Sequence, residues 1–394
     1  MVKLIYIMTV PETVRGSLEG QLRYVQQYSG CDVIVVSSPG DDLDYSALRE
    51  GVQGLAVRME REVSPWRDVV ALYRLWRMLV QQQPGIVIAG TPKAALLGML
   101  ASWFARVPRR IYLLKGLRLA TTVGIKRKLL VFAERLASHS ATEILCVSDS
   151  LRKRYAQLRL ADPSKLIVLG NGTSNGVCAN RFDYQIRESE RTDLIRKELD
   201  IPLEATVLGF VGRLVRDKGI ANLVACFKEI VEARPDAYLL VLGKFEELDR
   251  VNEEDRKYLA EHPNVRLVGF RRDMEVMYAV MDVLLFPTYR EGFPKAPLEA
   301  ALMNVPTVAF DVDGCTDAIQ HGVTGMLVPF GDQMQFNNCV MKYVDDSRSR
   351  LSHGVAGRQW VLENFHQDDV WRNYVDWFVG VEPVSKTVSV SRDS

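Results

Sequence analysis

Short apolar runs alternate with longer amphipathic stretches along this chain, and the alternation occurs twice. The first series of runs is KLIYIM (3–8), DVIVVSS (32–38), GIVIAG (85–90), RIYLLK (110–115), EILCVS (143–148) and KLIVLG (165–170). Between them, SLEGQLRYVQQYS (17–29), PWRDVVALYRLWRMLVQQ (65–82) and AALLGMLASWFARV (94–107) predict helices. A strand buried on both faces reads as a continuous apolar run. Strands that alternate with helices predict a parallel sheet covered on both sides.

The rhythm breaks in the charged stretch DYQIRESERTDLIRKELDIP (183–202) and then restarts. The second series is TVLGFVG (206–212), AYLLVLG (237–243), VRLVG (265–269), VLLFPT (283–288), PTVAFD (306–311) and GMLVP (325–329), with helices expected at 219–233 and 335–346. A chain of 394 residues exceeds what one core usually supports. The expectation is an α/β protein of two Rossmann-like domains facing each other across a cleft. Their boundaries are 1–182 and 205–364, joined by a linker or hinge at 183–204. DVWRNYVDWFVG predicts a last amphipathic helix within 365–381, and the polar tail 382–394 predicts disorder.

No apolar run approaches the ~20 residues that span a bilayer. The opening MVKLIYIM is too short for a signal peptide and reads as a first strand. The six cysteines are scattered with no C-x-x-C pairing, as in a reducing compartment, and support neither a zinc site nor a disulfide framework. The net charge of +1 hides an asymmetry. Residues 1–180 hold 24 Lys and Arg against 14 Asp and Glu, whereas residues 181–394 hold 26 against 35. The basic excess peaks in 106–136 and 151–160, where cations interleave with apolar residues. It reads either as solvated helix faces or as a surface for anionic lipid headgroups. Nothing resembles a nucleic-acid-binding motif, so no nucleic-acid partner is expected.

Ligands of parallel sheets bind beyond the carboxyl ends of the strands. After TVLGFVG comes RLVRDKGI, where Gly212 permits a tight turn and Arg213 and Lys218 stand five apart at a helix opening. Two cations beside free helix N–H groups suit a diphosphate. On spacing alone, a surface Arg and a helix-start Lys with no ligand is the better account. After VLLFPT comes YREGFPKAPLEA (289–300). Pro297 suits the first turn of a helix from about Ala296, which places Glu299 in that turn beside the helix dipole. Glu291 lies in the preceding loop, and Gly292 lets a ligand approach the backbone. Carboxylates accept hydrogen bonds from hydroxyls, so the pair suits a ligand carrying sugars as well as phosphates. Taken singly, each glutamate is accounted for as a dipole partner or a surface charge.

GFVGRLVRDKGI and the stretch from Val268 to Pro329 resemble the C-terminal half of retaining glycosyltransferases of family 4, which have the GT-B fold. The resemblance rests on E-x7-E, G-R-x4-K-G and G-x-T-G together. GQLRYV, VSSPG, TPKAALLGMLA, GLRLATT, GIKRKLL, VSDSL and GNGTSNGV extend it to the capsule, exopolysaccharide and O-antigen branch, over nearly the whole chain. It implies a hexosyltransferase that moves a hexose or N-acetylhexosamine from a nucleotide diphosphate sugar, a UDP-sugar first among the candidates, with anomeric retention. Arg213 and Lys218 would hold the donor diphosphate, Glu299 the ribose, and Glu291 the donor sugar. Gly212, Gly292, Phe293, Pro294, Lys295 and Ala296 would complete that site, and main-chain groups of Val268, Gly269 and Phe270 would meet the base. The implied acceptor is a saccharide on a polyprenyl diphosphate, held in the N-terminal domain near Thr91, Lys93, Lys115, Arg118, Asn171 and Asn175. The last helix would cross back to that domain, and the chain would work peripherally at the cytoplasmic face of the membrane.

The sequence departs from the resemblance at Lys115 and near Gly90, where histidines are usual, and at Cys178, where an acid is usual. His139, His262, His321, His353 and His366 read as helix or loop residues that do not replace them. Front-side transfer can use the leaving diphosphate as base, so activity survives that loss. Asp311-x-Asp313 and Asp42-x-Asp44 look like metal-binding pairs but lack context, and no metal or other cofactor is expected because Arg213 and Lys218 supply the positive charge. Two rival classes remain: a nucleotide-sugar 2-epimerase, which would need acid and base groups not found here, and a non-catalytic nucleotide-sugar-binding relative.

Overall fold

A computed structural model describes residues 1–380 apart from 63, 247 and 248, so the tail at 382–394 lies outside the described residues. The chain forms two units: Met1–Gly176 together with the segment from Gln367, and Val177–His366.

The first unit is built on strands β1 (Val2–Ile7), β2 (Cys31–Ser37), β3 (Gln53–Ala56), β4 (Ile86–Gly90), β5 (Arg109–Leu114), β6 (Glu143–Cys146) and β7 (Leu166–Ile167). Among the described residues they make one parallel sheet in the order β3-β2-β1-β4-β5-β6-β7. Ile5 lies opposite both Ile34 and Val87. Leu4, Ile5, Tyr6 and Ile7 are fully buried, as strands covered on both faces require.

The second unit repeats the plan with β8 (Thr206–Val211), β9 (Ala237–Leu242), β10 (Val265–Gly269), β11 (Val283–Phe286), β12 (Thr307–Asp311) and β13 (Gly325–Pro329). Their order is β10-β9-β8-β11-β12-β13, again parallel. In each sheet the order reverses once, between β1 and β4 and between β8 and β11. Such switch points, at the carboxyl ends of the strands, are where open α/β sheets bind ligands.

Several elements differ from the sequence expectation. The helix expected at 17–29 is two, Pro11–Ser17 and Gln21–Tyr28. They part at Gly20, whose φ is +80° and where an added Cβ would stand 2.5 Å from the Trp371 ring. Only Leu166–Ile167 of the run 165–170 pairs as a strand. Residues 183–204 carry a 3-10 turn, Tyr184–Glu188, and a helix, Glu190–Glu198, within the second unit. The final helix, Gln367–Val379, packs on Gln21–Tyr28 in the first unit. Trp371 lies 5.4 Å from Tyr24 there, and Arg109 sits 4.4 Å over the Trp377 ring.

Candidate functional site

The switch point of the second sheet gathers the charged residues expected from the sequence. Beyond β8, the Gly212 N–H donates to the Leu242 carbonyl (3.0 Å) and that of Leu214 to Lys244 (2.9 Å). A 3-10 turn, Arg216–Lys218, ends on Gly219 and leads into the helix Ile220–Ala233. Gly219 has φ +69°, and a Cβ there would stand 1.8 Å from the Pro287 carbonyl oxygen. Only glycine therefore permits this close approach between the lysine turn and the end of β11.

Three contacts tie the segment after β11 to that turn. Tyr289 N–H donates to the Asp217 carbonyl (2.9 Å), the Thr288 hydroxyl oxygen lies 3.4 Å from the same carbonyl, and Arg290 Nε donates to Asp217 Oδ2 (2.6 Å). Tyr289 continues through its hydroxyl to Asn222 Oδ1 (2.6 Å) on the following helix. Held this way, Glu291 Oε1 accepts from both the Lys218 ammonium and Thr288 Oγ1, the latter at 3.0 Å. The two charged side chains are only 17% and 13% exposed. Beyond β12, Gly314 presses on this loop, since a Cβ there would lie 2.5 Å from the Gly292 carbonyl oxygen. The Cys315 thiol is fully buried, and burial first and the nearby Glu291 charge second push its pKa well up.

Lys218 and Glu291 are thus in direct contact. Arg213 has a different partner, Glu246 (2.9 Å), and remains half-exposed. The helix after the loop is Lys295–Leu302, with Pro294 at its N-cap. This corrects the expected place of Glu299. It is the fifth residue, beyond the first turn, and its carboxylate accepts from Tyr278 Oη (3.1 Å) and pairs with Lys295 (3.3 Å). Burial and that carboxylate hold the Tyr278 hydroxyl well above its ordinary pKa. Ala296 follows Lys295 in the first turn, and Phe293 packs on Phe365 at 5.1 Å. At the end of β10, after Val268, the Gly269 carbonyl accepts from Gly243 N–H (2.9 Å), and Phe270 is exposed beside the Lys244 ammonium, 5.7 Å from its ring centre. Thr288, Asp217, Arg290, Tyr278 and Glu246 were not singled out from the sequence. Of these only Glu246 lay outside the quoted stretches, and nothing in them marked Asp217 and Arg290 as a pair.

In the first unit the residues expected to meet the acceptor also lie at strand ends. Thr91 follows β4 with φ +72°, and its hydroxyl meets that of Thr9, beyond β1, at 2.6 Å. Lys93 is bound within the unit, to Asp68 Oδ1 (2.7 Å) and the Glu62 carbonyl. Lys115 is half-buried and Arg118 exposed beyond β5. Asn171 opens the loop after β7, where Thr173 N–H donates to the Val147 carbonyl (2.6 Å). Asn175 closes it, with Oδ1 accepting from Trp371 Nε1 (2.6 Å) and Nδ2 donating to the Glu19 carbonyl (3.0 Å).

Three histidines have structural partners: His262 with Asn264 N–H (3.2 Å), His321 with Leu327 N–H (3.0 Å) and His353 with the Tyr343 hydroxyl (2.7 Å). Asp42 is bound to Arg15 at 2.5 Å. Among the described residues no cluster of three His, Cys, Asp or Glu side chains is placed to hold a metal ion. The cysteines are free thiols.

Two parallel sheets with the same reversed order make an α/β protein of two Rossmann-like units, with a cation–carboxylate pair at the switch point of the second. The Glycosyl transferases group 1 profile matches residues 191–360, and the Glycosyl transferase 4-like domain profile matches residues 21–172. A capsular polysaccharide biosynthesis glycosyltransferase, CapM of Staphylococcus aureus, is 33% identical over 369 residues, 94% of each chain. The UDP-Gal:alpha-D-GlcNAc-diphosphoundecaprenol alpha-1,3-galactosyltransferase of Escherichia coli is 25% identical over 289 residues, 73% of each. The Anabaena protein HepE, solved with UDP and glucose, has the same fold: TM-score 0.78, 17% identity, covering 96% of this chain and 99% of that one. The chain belongs to the group 1 glycosyltransferases with a glycosyltransferase 4-like N-terminal domain and is a homologue of the capsular polysaccharide enzymes.

Proposed function

We propose that this glycosyltransferase moves a hexose or N-acetylhexosamine from a nucleotide diphosphate sugar, a UDP-sugar first, to a saccharide on a polyprenyl diphosphate. Transfer retains the anomeric configuration, needs no metal, and takes place at the cytoplasmic face of a membrane. The carrying observation is the pairing of Lys218 with Glu291 at the β8–β11 switch point. A mostly buried ammonium there can meet the charge that develops on a leaving diphosphate, and the carboxylate beside it can accept from a sugar hydroxyl. Arg213 adds a second cation after the same strand, and Glu299 offers a carboxylate to the ribose. Two similarities support the reading: a capsule enzyme over 94% of the chain, and an enzyme whose acceptor is a diphosphoundecaprenol-linked sugar.

The test is a mass-spectrometric screen of UDP-sugars against polyprenyl-diphosphate-linked acceptors, in buffer with chelator. The expected result is an acceptor heavier by one sugar, lost in Glu291→Ala, with an α linkage from an α donor. An epimerised donor in an acceptor-free incubation, or no transfer with any donor, would overturn the reading.

A further inference from the structure

Two helices of the second unit stand behind the Glu299 carboxylate and are tied to each other. Met274–Val280 and Lys295–Leu302 pack together, and both end at Arg187 of the 3-10 turn Tyr184–Glu188. Arg187 Nη1 donates to the Met281 carbonyl (2.7 Å), just beyond the first helix. It is shared with the carbonyls of Tyr278 (3.4 Å) and of Met303 (3.5 Å), just beyond the second helix. A guanidinium between two carbonyl ends suits both helix dipoles and fixes one helix against the other. Tyr278 is fully buried on the first helix, and the buried Phe182 meets its ring edge-on, 6.0 Å between centres. A ring packed this tightly keeps its rotamer.

The Tyr278 hydroxyl donates to Glu299 Oε2 at 3.1 Å. A buried hydroxyl without a partner is costly, so the core holds this tyrosine and this carboxylate as a pair. Burial and the neighbouring carboxylate keep the hydroxyl protonated, and therefore a donor. The other oxygen, Oε1, faces Lys295 at 3.3 Å. The lysine side chain is 54% exposed and the glutamate only 12%. An exposed ammonium on a flexible stem holds its partner weakly. The fixed contact is thus the tyrosine's, and the lysine's is the one a ligand displaces. Each carboxylate oxygen has two acceptor positions. With Tyr278 on one of them, Oε1 and Oε2 together still accept from two further donors. The neighbouring cis hydroxyls of a ribose are two such donors, matched to a carboxylate oxygen for oxygen.

We infer that Tyr278 is the positioning residue for the donor's ribose: its hydroxyl sets the Glu299 carboxylate to accept from the 2′- and 3′-hydroxyls together. This rests on the ribose role proposed above for Glu299 and makes the pair the element that separates ribonucleotides from deoxyribonucleotides. A glutamate free to turn about its side-chain torsions loses part of its binding to ordering, and holding it beforehand removes that cost. A carboxylate that has lost its orientation still accepts from one hydroxyl at a time. Removing the tyrosine hydroxyl therefore erodes the discrimination before it abolishes binding.

The test is calorimetric binding to the full chain of whichever of UDP, GDP and ADP binds most tightly, beside its 2′-deoxy and 3′-deoxy forms. The wild type should prefer the ribo form to each deoxy form by roughly ten- to a hundredfold, the range for one hydrogen bond to a charged group. Tyr278→Phe should lower that preference by at least about fivefold and leave the affinity for the deoxy forms within about twofold. The phenyl ring fills the same space, so the unfolding temperature should stay within about a few degrees of the wild type. A tyrosine that only packed the core would leave the ribo-to-deoxy ratio unchanged. Glu299→Ala should abolish the preference, and the double variant should match Glu299→Ala, because the tyrosine acts through the carboxylate. If Glu299→Ala keeps the wild-type preference, or no nucleoside diphosphate binds, the ribose role of Glu299 falls and this inference with it. If Glu299→Ala abolishes the preference while Tyr278→Phe retains it, or the double variant discriminates differently from Glu299→Ala, the inference alone is overturned.

Discussion

Replacing Lys218 by alanine removes one partner of a contact that is 17% exposed on the lysine side and 13% on the glutamate side. Two consequences follow and can be measured apart. In the free protein the Glu291 carboxylate loses its cation and keeps the Thr288 hydroxyl donor. Leaving a mostly buried charge short of a partner costs about 1–3 kcal/mol, which amounts to a fall of a few degrees in unfolding temperature. In the complex, a cation that strengthens its contact as the diphosphate departs is worth about 2–4 kcal/mol. That corresponds to a loss of roughly 30- to 1,000-fold in kcat/KM. The assay is steady-state transfer with donor varied, beside the rise in unfolding temperature produced by saturating nucleotide sugar. The wild type should show both transfer and the rise, and the variant should lose most of each. A change in kcat/KM below about threefold, with the donor-induced rise intact, would refute the reasoning.

Other perturbations probe the supports of that pair. Gly219→Ala puts a Cβ 1.8 Å from the Pro287 carbonyl oxygen at a φ of +69°, so it should destabilise the chain by at least about 1–2 kcal/mol in urea unfolding and impair transfer with it. Asp217→Ala and Arg290→Ala each break the 2.6 Å contact that positions the Glu291 loop. Each should lower kcat/KM by about tenfold, and the double variant should lose little more than either alone; full additivity would contradict the coupling. Glu134 accepts from the hydroxyls of Tyr112 and Tyr155, both at 2.9 Å, and burial raises its pKa from the ordinary 4.5. The folded state thus binds its proton more tightly than the unfolded state, so this stabilisation is full below pH 4.5 and is lost as pH rises through the folded value. Glu134→Gln should flatten that part of the stability profile, as read by thermal unfolding across pH.

The central strands of both sheets were legible because burial on both faces forces continuous apolar runs such as LIYI and LLVL. β3 was not, because Gln53, Gly54 and Ala56 are exposed and carry no apolar signal. The helix Asp41–Glu50 was missed for its three leading acids, and Ser347–Asn364 because its apolar positions follow no single face. At the break, Gly20 packs against a residue more than three hundred positions away, Trp371, which no local window contains. The site shows the same division. Motif spacing pointed to Arg213, Lys218, Glu291 and Glu299, but apart from the pairing of Glu299 with Lys295 one turn away, their partners come from elsewhere in the fold. Lys218 meets Glu291 because β8 and β11 are neighbours, and Glu299 meets Tyr278 because the buried helix Met274–Val280 reaches it. Asp217 and Arg290 became a pair only once the two turns were brought together.

The most direct measurement is a crystal structure of the chain with an intact nucleotide sugar. The diphosphate should lie against the Lys218 ammonium and the Arg213 guanidinium, with a sugar hydroxyl donating to Glu291 and the ribose to Glu299. A nucleotide sugar bound elsewhere, with the Lys218–Glu291 contact unchanged and no ligand within reach of it, would contradict the account.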